Sequence, residues 1–178
     1  LKIILISGKA QHGKDTTANI LKTLLEKDNK RVLIAHYGDL VKYVCKTFFG
    51  WNGEKDEYGR SLLQRIGTDE VRKVFPNFWV HFIKDMLTIF PNEWDYVLIP
   101  DTRFLNEVQV FKNSKWDTIT LRVHRLNFIS PLTIEQQNHP SETALDNYIF
   151  DYYINSEFGL DKLEVEVNKF VKEMNSEV

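Results

Sequence analysis

Apolar positions in this chain come in short blocks separated by polar, glycine-bearing segments. The first block, KIILIS at 2–7, is β-branched and apolar on both faces, the pattern of a buried parallel strand. It runs through a glycine-containing turn into a stretch from about Lys14 to Lys27, where Ala18, Leu21 and Leu25 share one helical stripe. KDNK at 27–30 ends that helix, and RVLIAHYG at 31–38 predicts a second strand. Residues 39–90 carry no strand signal. LVKYVCKTFF, SLLQRIGTDEVRKVF and FWVHFIKDMLTIF recur there at helical spacing, punctuated by Gly50, Gly53, Gly59 and Pro76. WDYVLIPDTR at 94–103 predicts a third strand, NEVQVFKNS a short helix, and DTITLRVHR at 117–125 a fourth strand. Residues 126–142 are polar and read as a long loop or mobile lid. FDYYIN at 150–155 predicts a fifth strand, and GLDKLEVEVNKFVKEM at 159–174 an amphipathic last helix.

Strands alternating with helices predict an α/β fold: three layers, with a five-stranded parallel sheet covered on both faces. Ligands of such sheets sit beyond the carboxyl ends of the strands. Three polar clusters fall there: 8–16, 101–107 and 124–125. The 178 residues fit one domain, with a helical excursion at about 39–90 and the lid at about 125–142.

Composition narrows the function classes. A formal net charge of −2 leaves no global basic field to recruit nucleic acid. The single cysteine, Cys45, excludes an intramolecular disulfide and a CxxC metal site; its neighbours place it in a half-buried helix as a structural residue. The opening apolar run is too short to span a bilayer and leads into Gly8 rather than a cleavage site. The expected setting is reducing and cytoplasmic.

The first polar cluster carries the most specific chemistry. Gly8-x4-Gly13-Lys14 follows a buried strand and opens a helix, the context a phosphate-binding loop requires. Its glycines let backbone N–H groups turn inward, the helix N-terminus adds positive potential, and Lys14 reaches the outer phosphates. Gly8, Ala10, His12, Gly13, Lys14, Asp15, Thr16 and Thr17 are therefore the candidate contacts to ATP. Asp15 stands where many such loops place a Mg²⁺-binding hydroxyl, and Thr16 follows one place late. Phosphates repel Asp15, so it is expected to face the metal, its water shell or an arginine. Asp101, at the end of the third strand, can hold Mg²⁺ through water or orient an acceptor phosphate, so Asp15, Thr16 and Asp101 form the candidate metal set. Arg103 can fork onto phosphate oxygens. Phe104, Asn106 and Glu107 either join this site or cap and pack the next helix.

Taken in order, Gly-x4-Gly-Lys-Asp-Thr, GRSLLQRIGTD (59–69), FW (78–79), PDTRFLNE (100–107) and HPSETALD (139–146) resemble the deoxynucleoside monophosphate kinases of phages and bacteria. FDYYINSEFGLDKLEVEV is similar to their last strand and helix, so the likeness spans almost the whole chain. Departures are Gln11-His12, where small residues are usual, and Pro100-Asp101-Thr102, where Ser-Asp-Val is common. The resemblance implies a P-loop NTPase fold of nucleoside monophosphate kinase type. ATP with Mg²⁺ would donate a γ-phosphoryl to a deoxynucleoside monophosphate, with Lys14, Asp101, Arg103 and Arg125 as the catalytic set. The inserted helices would bind the acceptor through Arg60, Gln64, Arg65 and Arg72, with Trp79 either stacking on the base or packing in the core. Asp15, Arg103 and Glu142 would complete the acceptor contacts. Arg125 and nearby Arg122 would begin the lid; Ser141 is the expected N-cap before Glu142, and His139 a structural residue. The expected partner is a small molecule rather than nucleic acid or a membrane, and a homodimer stays open.

Rival readings are another small-acceptor kinase, of dephospho-coenzyme A or phosphomevalonate type, a GTPase-like switch, and a motor ATPase. The switch needs a guanine-reading Asn-Lys-x-Asp, which is absent from YINSEFGLDK at 153–162. The motor usually needs Asp-Glu where this chain has Asp101-Thr102-Arg103.

Overall fold

The computed structural model describes residues 1–176. Five strands, β1 (Lys2–Ser7), β2 (Val32–Ile34), β3 (Tyr96–Ile99), β4 (Asp117–Arg125) and β5 (Tyr152–Ser156), form one sheet. All pairings are parallel, in the order β2-β3-β1-β4-β5. The chain leaves β1 for the β2 side and crosses from β3 back to β4, so the sheet reverses its winding between β1 and β3. A crevice opens at the strands' carboxyl ends at such a reversal.

Alternation along the strands divides the core into two layers. Ile4, Ile6, Leu98, Leu121 and Val123 pack with Ala18, Leu21 and Leu25 of α1 (Lys14–Lys27). Leu163, Val167, Phe170 and Met174 of α9 (Leu160–Ser176) close the same layer. Ile3, Leu5, Val97 and Ile99 point the other way and are fully buried; Val108 and Phe111 of α6 (Leu105–Lys112), which packs against β4, are buried as well.

Chain contacts divide the molecule into two compact units, 1–35 with 91–178, and 36–90. The second unit is helical: α2 (Tyr37–Phe49), α3 (Glu57–Gln64), a π-helical segment Arg65–Glu70, α4 (Val71–Val74) and α5 (Phe78–Ile89). Its own core holds Val41, Cys45, Trp51, Leu62, Ile66, Trp79, Val80, Ile83 and Leu87. The Cys45 thiol lies in that core, where burial pushes its pKa up, and it is a packing residue.

Several expected boundaries move. The second strand stops at Ile34, and Tyr37 and Gly38, expected in it, begin α2 instead. The third strand is confined to Tyr96–Ile99. The polar stretch 126–142 contains two short helices, α7 (Ile134–Asn138) and α8 (Pro140–Thr143). The N-cap of α8 is His139 rather than Ser141: Pro140 takes the first helical position, and the His139 ring accepts the Ser141 N–H. The periodic run 57–74 is interrupted by the π-helical segment, which contains Gly67. A Cβ at Gly67 would sit 3.2 Å from Cγ1 of Val41, so a small residue lets this turn lie against α2.

Candidate functional site

The loop between β1 and α1 turns at two glycines. A Cβ on Gly8 would stand 2.4 Å from the Val123 carbonyl oxygen of β4, so only glycine fits where the loop leaves the sheet. Gly13 starts α1 from the left-handed region at φ 92°, and Gln11 also takes positive φ, at 62°. The first N–H groups of α1 point out of the helix end, where they and the macrodipole favour an anion.

Lys14 opens α1 and is 7% exposed. Its ammonium donates to the Lys9 carbonyl at 2.8 Å, inside the loop. Burial and then Arg103 lower its pKa to about 8, against the opposing pull of Glu142, Asp15 and Asp101. A buried cation whose nearest partner is a neutral carbonyl is placed to gain from an incoming polyanion. Asp15 and Thr16 are exposed on the first turn of α1. Thr17, one of the residues expected at the nucleotide, is fully buried at the start of the helix.

His12 is half-buried and its pKa is lowered to about 4, first by burial, then by His124, Lys14 and Arg122. It is a neutral ring at pH 7, and Nδ1 accepts the Arg125 N–H at 3.3 Å. The His12 backbone N–H turns onto the Lys9 carbonyl at 3.3 Å. Arg125, expected as a catalytic lid arginine, lies between the rings of Phe128 and Phe158 at 4.6 and 4.5 Å. The two rings hold its guanidinium at the end of β4.

Asp101 follows β3 and is partly buried. Thr102 is buried, with its N–H on the Ile6 carbonyl at 3.3 Å, which ties the end of β3 to β1. The Glu107 carboxylate, 1% exposed, accepts the backbone N–H groups of Arg103 and Phe104 at 2.6 and 3.0 Å. Glu107 thereby caps α6 and fixes the backbone from which Arg103 projects.

Arg103 and Glu142 pair through Nη1 and Oε1, and the same Nη1 donates to the Ser141 carbonyl at 2.8 Å. The other Glu142 oxygen accepts the Ala10 N–H of the loop at 2.8 Å. Lys9 binds the Glu142 carbonyl at 2.7 Å and the Asp146 carboxylate at 2.5 Å. Arg122, expected at the start of a lid, lies inside β4, where it bonds Ser7 Oγ and Asp146 at 3.1 Å each. Lys9 and Asp146 are joined to this network without a separate signal in the sequence, although Asp146 lies in the HPSETALD motif and Lys9 within the loop motif.

Of the expected acceptor residues, Arg60, Gln64, Arg65, Arg72 and Trp79 belong to the helical unit. Arg60 is exposed and donates to the Lys55 carbonyl at 2.9 Å; Arg65 pairs with Glu70 at 3.4 Å and lies 5.7 Å from the Phe49 ring centre. Gln64 ends α3 and is half-buried. Trp79 is a packed interior residue. It is 1% exposed, and its indole N–H donates to the Gly67 carbonyl at 2.9 Å. Arg72 Nε donates to the same carbonyl at 3.1 Å. The π-helical turn explains both, because widening the backbone bonds leaves a carbonyl open to side-chain donors.

The site fits a nucleotide polyphosphate. The glycine turns leave room at the sheet, Lys14 is buried on a neutral partner, and Arg103 adds positive charge beside it. Among the described residues no group of three or more His, Cys, Asp or Glu could cage a metal. Asp15, Thr16 and Asp101 suit a Mg²⁺ that arrives on phosphates and keeps much of its water. No described helix is long and apolar enough to cross a membrane.

No protein-family model matches the chain, and no curated protein matches it significantly. Solved structures do. Shikimate kinase from Aquifex aeolicus is similar with TM-score 0.53 at 15% identity, over 98% of each chain. Dephospho-CoA kinase from Campylobacter jejuni gives 0.53 at 14%, over 98% of each. APS kinase from Mycobacterium tuberculosis gives 0.50 at 12%, over 96% of each. The chain shares the fold of these three structures. The expected three-layer α/β architecture with five parallel strands is correct.

Proposed function

We propose that this protein transfers the γ-phosphoryl group of ATP to a deoxynucleoside 5′-monophosphate, giving ADP and the diphosphate. The observation that carries the kinase reading is the buried Lys14 on a carbonyl partner inside a loop that faces Arg103 and Asp101. The acceptor class rests on the ordered motifs that resemble the deoxynucleoside monophosphate kinases. A second reading, transfer to dephospho-coenzyme A, is favoured equally by the solved structures, one of which is a dephospho-CoA kinase.

An acceptor phosphate is already a nucleophile at neutral pH, so the site needs no general base. Bound Mg²⁺-ATP would supply the phosphoryl group and neutralise charge on it. Lys14 would leave the Lys9 carbonyl for the outer phosphates, where its charge offsets the charge that builds during transfer. Arg103 would hold an oxygen of the transferred group, and Asp101 would orient the metal's water shell. Arg125, held by two rings at the end of β4, would add positive charge beside the phosphate loop. His12, neutral at working pH, would act as a spacer in the loop rather than as an acid or base.

Steady-state ADP formation against a panel of acceptors tests the reading. Specificity constants for dTMP or dGMP are expected to exceed those of the matching ribonucleotides by roughly one to two powers of ten, the discrimination a packed site gives against one added hydroxyl. Equal or greater efficiency with GMP overturns the deoxynucleotide assignment. Activity with dephospho-coenzyme A alone replaces it with the second reading, and ADP formation without any acceptor removes both.

A further inference from the structure

We propose that Glu142 is a positioning residue that presents one edge of the Arg103 guanidinium to phosphate and locks that edge in register with the phosphate loop. The inference rests on the kinase reading only for what the edge does during transfer; the binding step stands without it. A guanidinium has five N–H groups in one rigid plane. The two on Nη1 are taken by Glu142 and by the Ser141 carbonyl. Among the described residues no bond engages Nε or Nη2, the side-on pair whose spacing matches two oxygens of a phosphate. Holding Nη1 from behind thus leaves free the edge that grips an anion.

The second carboxylate oxygen of Glu142 reaches the phosphate loop. Oε2 accepts the Ala10 N–H at 2.8 Å, so one side chain joins Arg103 to the loop that carries Lys14. The Glu142 side chain is 7% exposed against 30% for Arg103, so the brace is desolvated while the presented group still meets solvent. Segment 139–146 is itself fixed, because Lys9 holds the Glu142 carbonyl and Asp146, and Asp146 holds Arg122. The Arg103 backbone is fixed independently by Glu107. Both ends of the brace are therefore anchored, and its removal frees a long side chain to sample many rotamers.

A carboxylate beside a phosphate site has an opposite, simpler consequence: it repels the anion, so removing it tightens binding. The two roles separate in a double-mutant cycle read by calorimetric binding of inorganic tripolyphosphate, using Glu142→Gln and Arg103→Ala in the whole chain. Positioning predicts that Arg103→Ala weakens tripolyphosphate about tenfold in the wild-type background and less than about twofold in Glu142→Gln. Glu142→Asp keeps the charge but is one methylene short of bridging both partners, and is expected to behave as Glu142→Gln; it also serves if the Gln variant fails to fold. An Arg103→Ala effect of equal size in all backgrounds, or tighter binding by Glu142→Gln, overturns the proposal. In turnover, Glu142→Gln is expected to lower kcat about ten- to a hundredfold with little change in the acceptor KM. A wild-type protein that forms no acceptor-dependent ADP defeats the kinase reading, while the binding cycle still decides the role of Glu142.

Discussion

Replacing Lys14 by Met is expected to make the protein more stable and nearly inactive. The drop in the Lys14 pKa from 10.5 to about 8 corresponds to about 3 kcal/mol against the charged form in the folded protein. At pH 7 the amine is charged in both folded and unfolded states, so this penalty is present in full. Methionine fills similar volume without charge. It gives up the bond to the Lys9 carbonyl, a loss of about 1–2 kcal/mol, and that carbonyl keeps the His12 N–H as a donor. The net gain is about 1–2 kcal/mol, or about 2–8 °C in Tm for a chain of this size. Above pH 8 the folded amine releases its proton before the unfolded one does, so the wild type gains stability and the gap narrows toward pH 10.5. Turnover should fall by two or more powers of ten, because the charge opposite the transferred phosphoryl is gone. Thermal melts from pH 6 to 10 beside an ADP-formation assay test both halves. A variant that melts lower than wild type at pH 7, with a gap independent of pH, refutes the strained-cation account; near-normal turnover removes Lys14 from the mechanism.

Other substitutions separate site from scaffold. Asp101→Asn should lower kcat more than it weakens ATP binding, since the amide keeps the shape and loses the charge; an effect on Tm alone would make Asp101 a structural cap. Trp79→Phe should cost about 1–3 kcal/mol in denaturant unfolding, by losing a fully buried bond to Gly67 and some volume, with the acceptor KM almost unchanged. A large rise in that KM at constant stability would return Trp79 to the acceptor site. Gly8→Ala should destabilise by about 1–3 kcal/mol, because the new methyl meets a backbone carbonyl that cannot swing away. Melting unchanged from wild type would contradict the close crossing. The kcat/KM for ATP should decline above pH about 8 as free Lys14 loses its proton.

The elements most legible in the sequence are those where several signals agree. β1, α1 and β4 lie where apolar runs, glycine punctuation and helical stripes predict them. The second strand was over-extended because Tyr37 continues an apolar pattern, and the helix that begins there has no side-chain cap to announce it. The π-helical turn is invisible to periodicity, since it changes the backbone bonds of a run that still alternates like a helix. That turn also gathers the Trp79 indole and Arg72 Nε onto the Gly67 carbonyl, an arrangement that no sequence pattern announces. The phosphate loop was readable because its residues are contiguous. The Arg103–Glu142 brace spans 39 positions and two strand ends, so only the folded sheet brings it together.

The central claim is that a phosphoryl group passes from ATP to a small monophosphate held at the carboxyl ends of β1 and β3. The most direct measurement follows the label from ATP carrying a radioactive γ-phosphate, with Mg²⁺ and dTMP or dGMP, in wild type and in Lys14→Met. The account predicts labelled deoxynucleoside diphosphate in proportion to ADP with wild-type protein, and none with the variant. Label appearing only as inorganic phosphate, at a rate the monophosphates do not change, would contradict it.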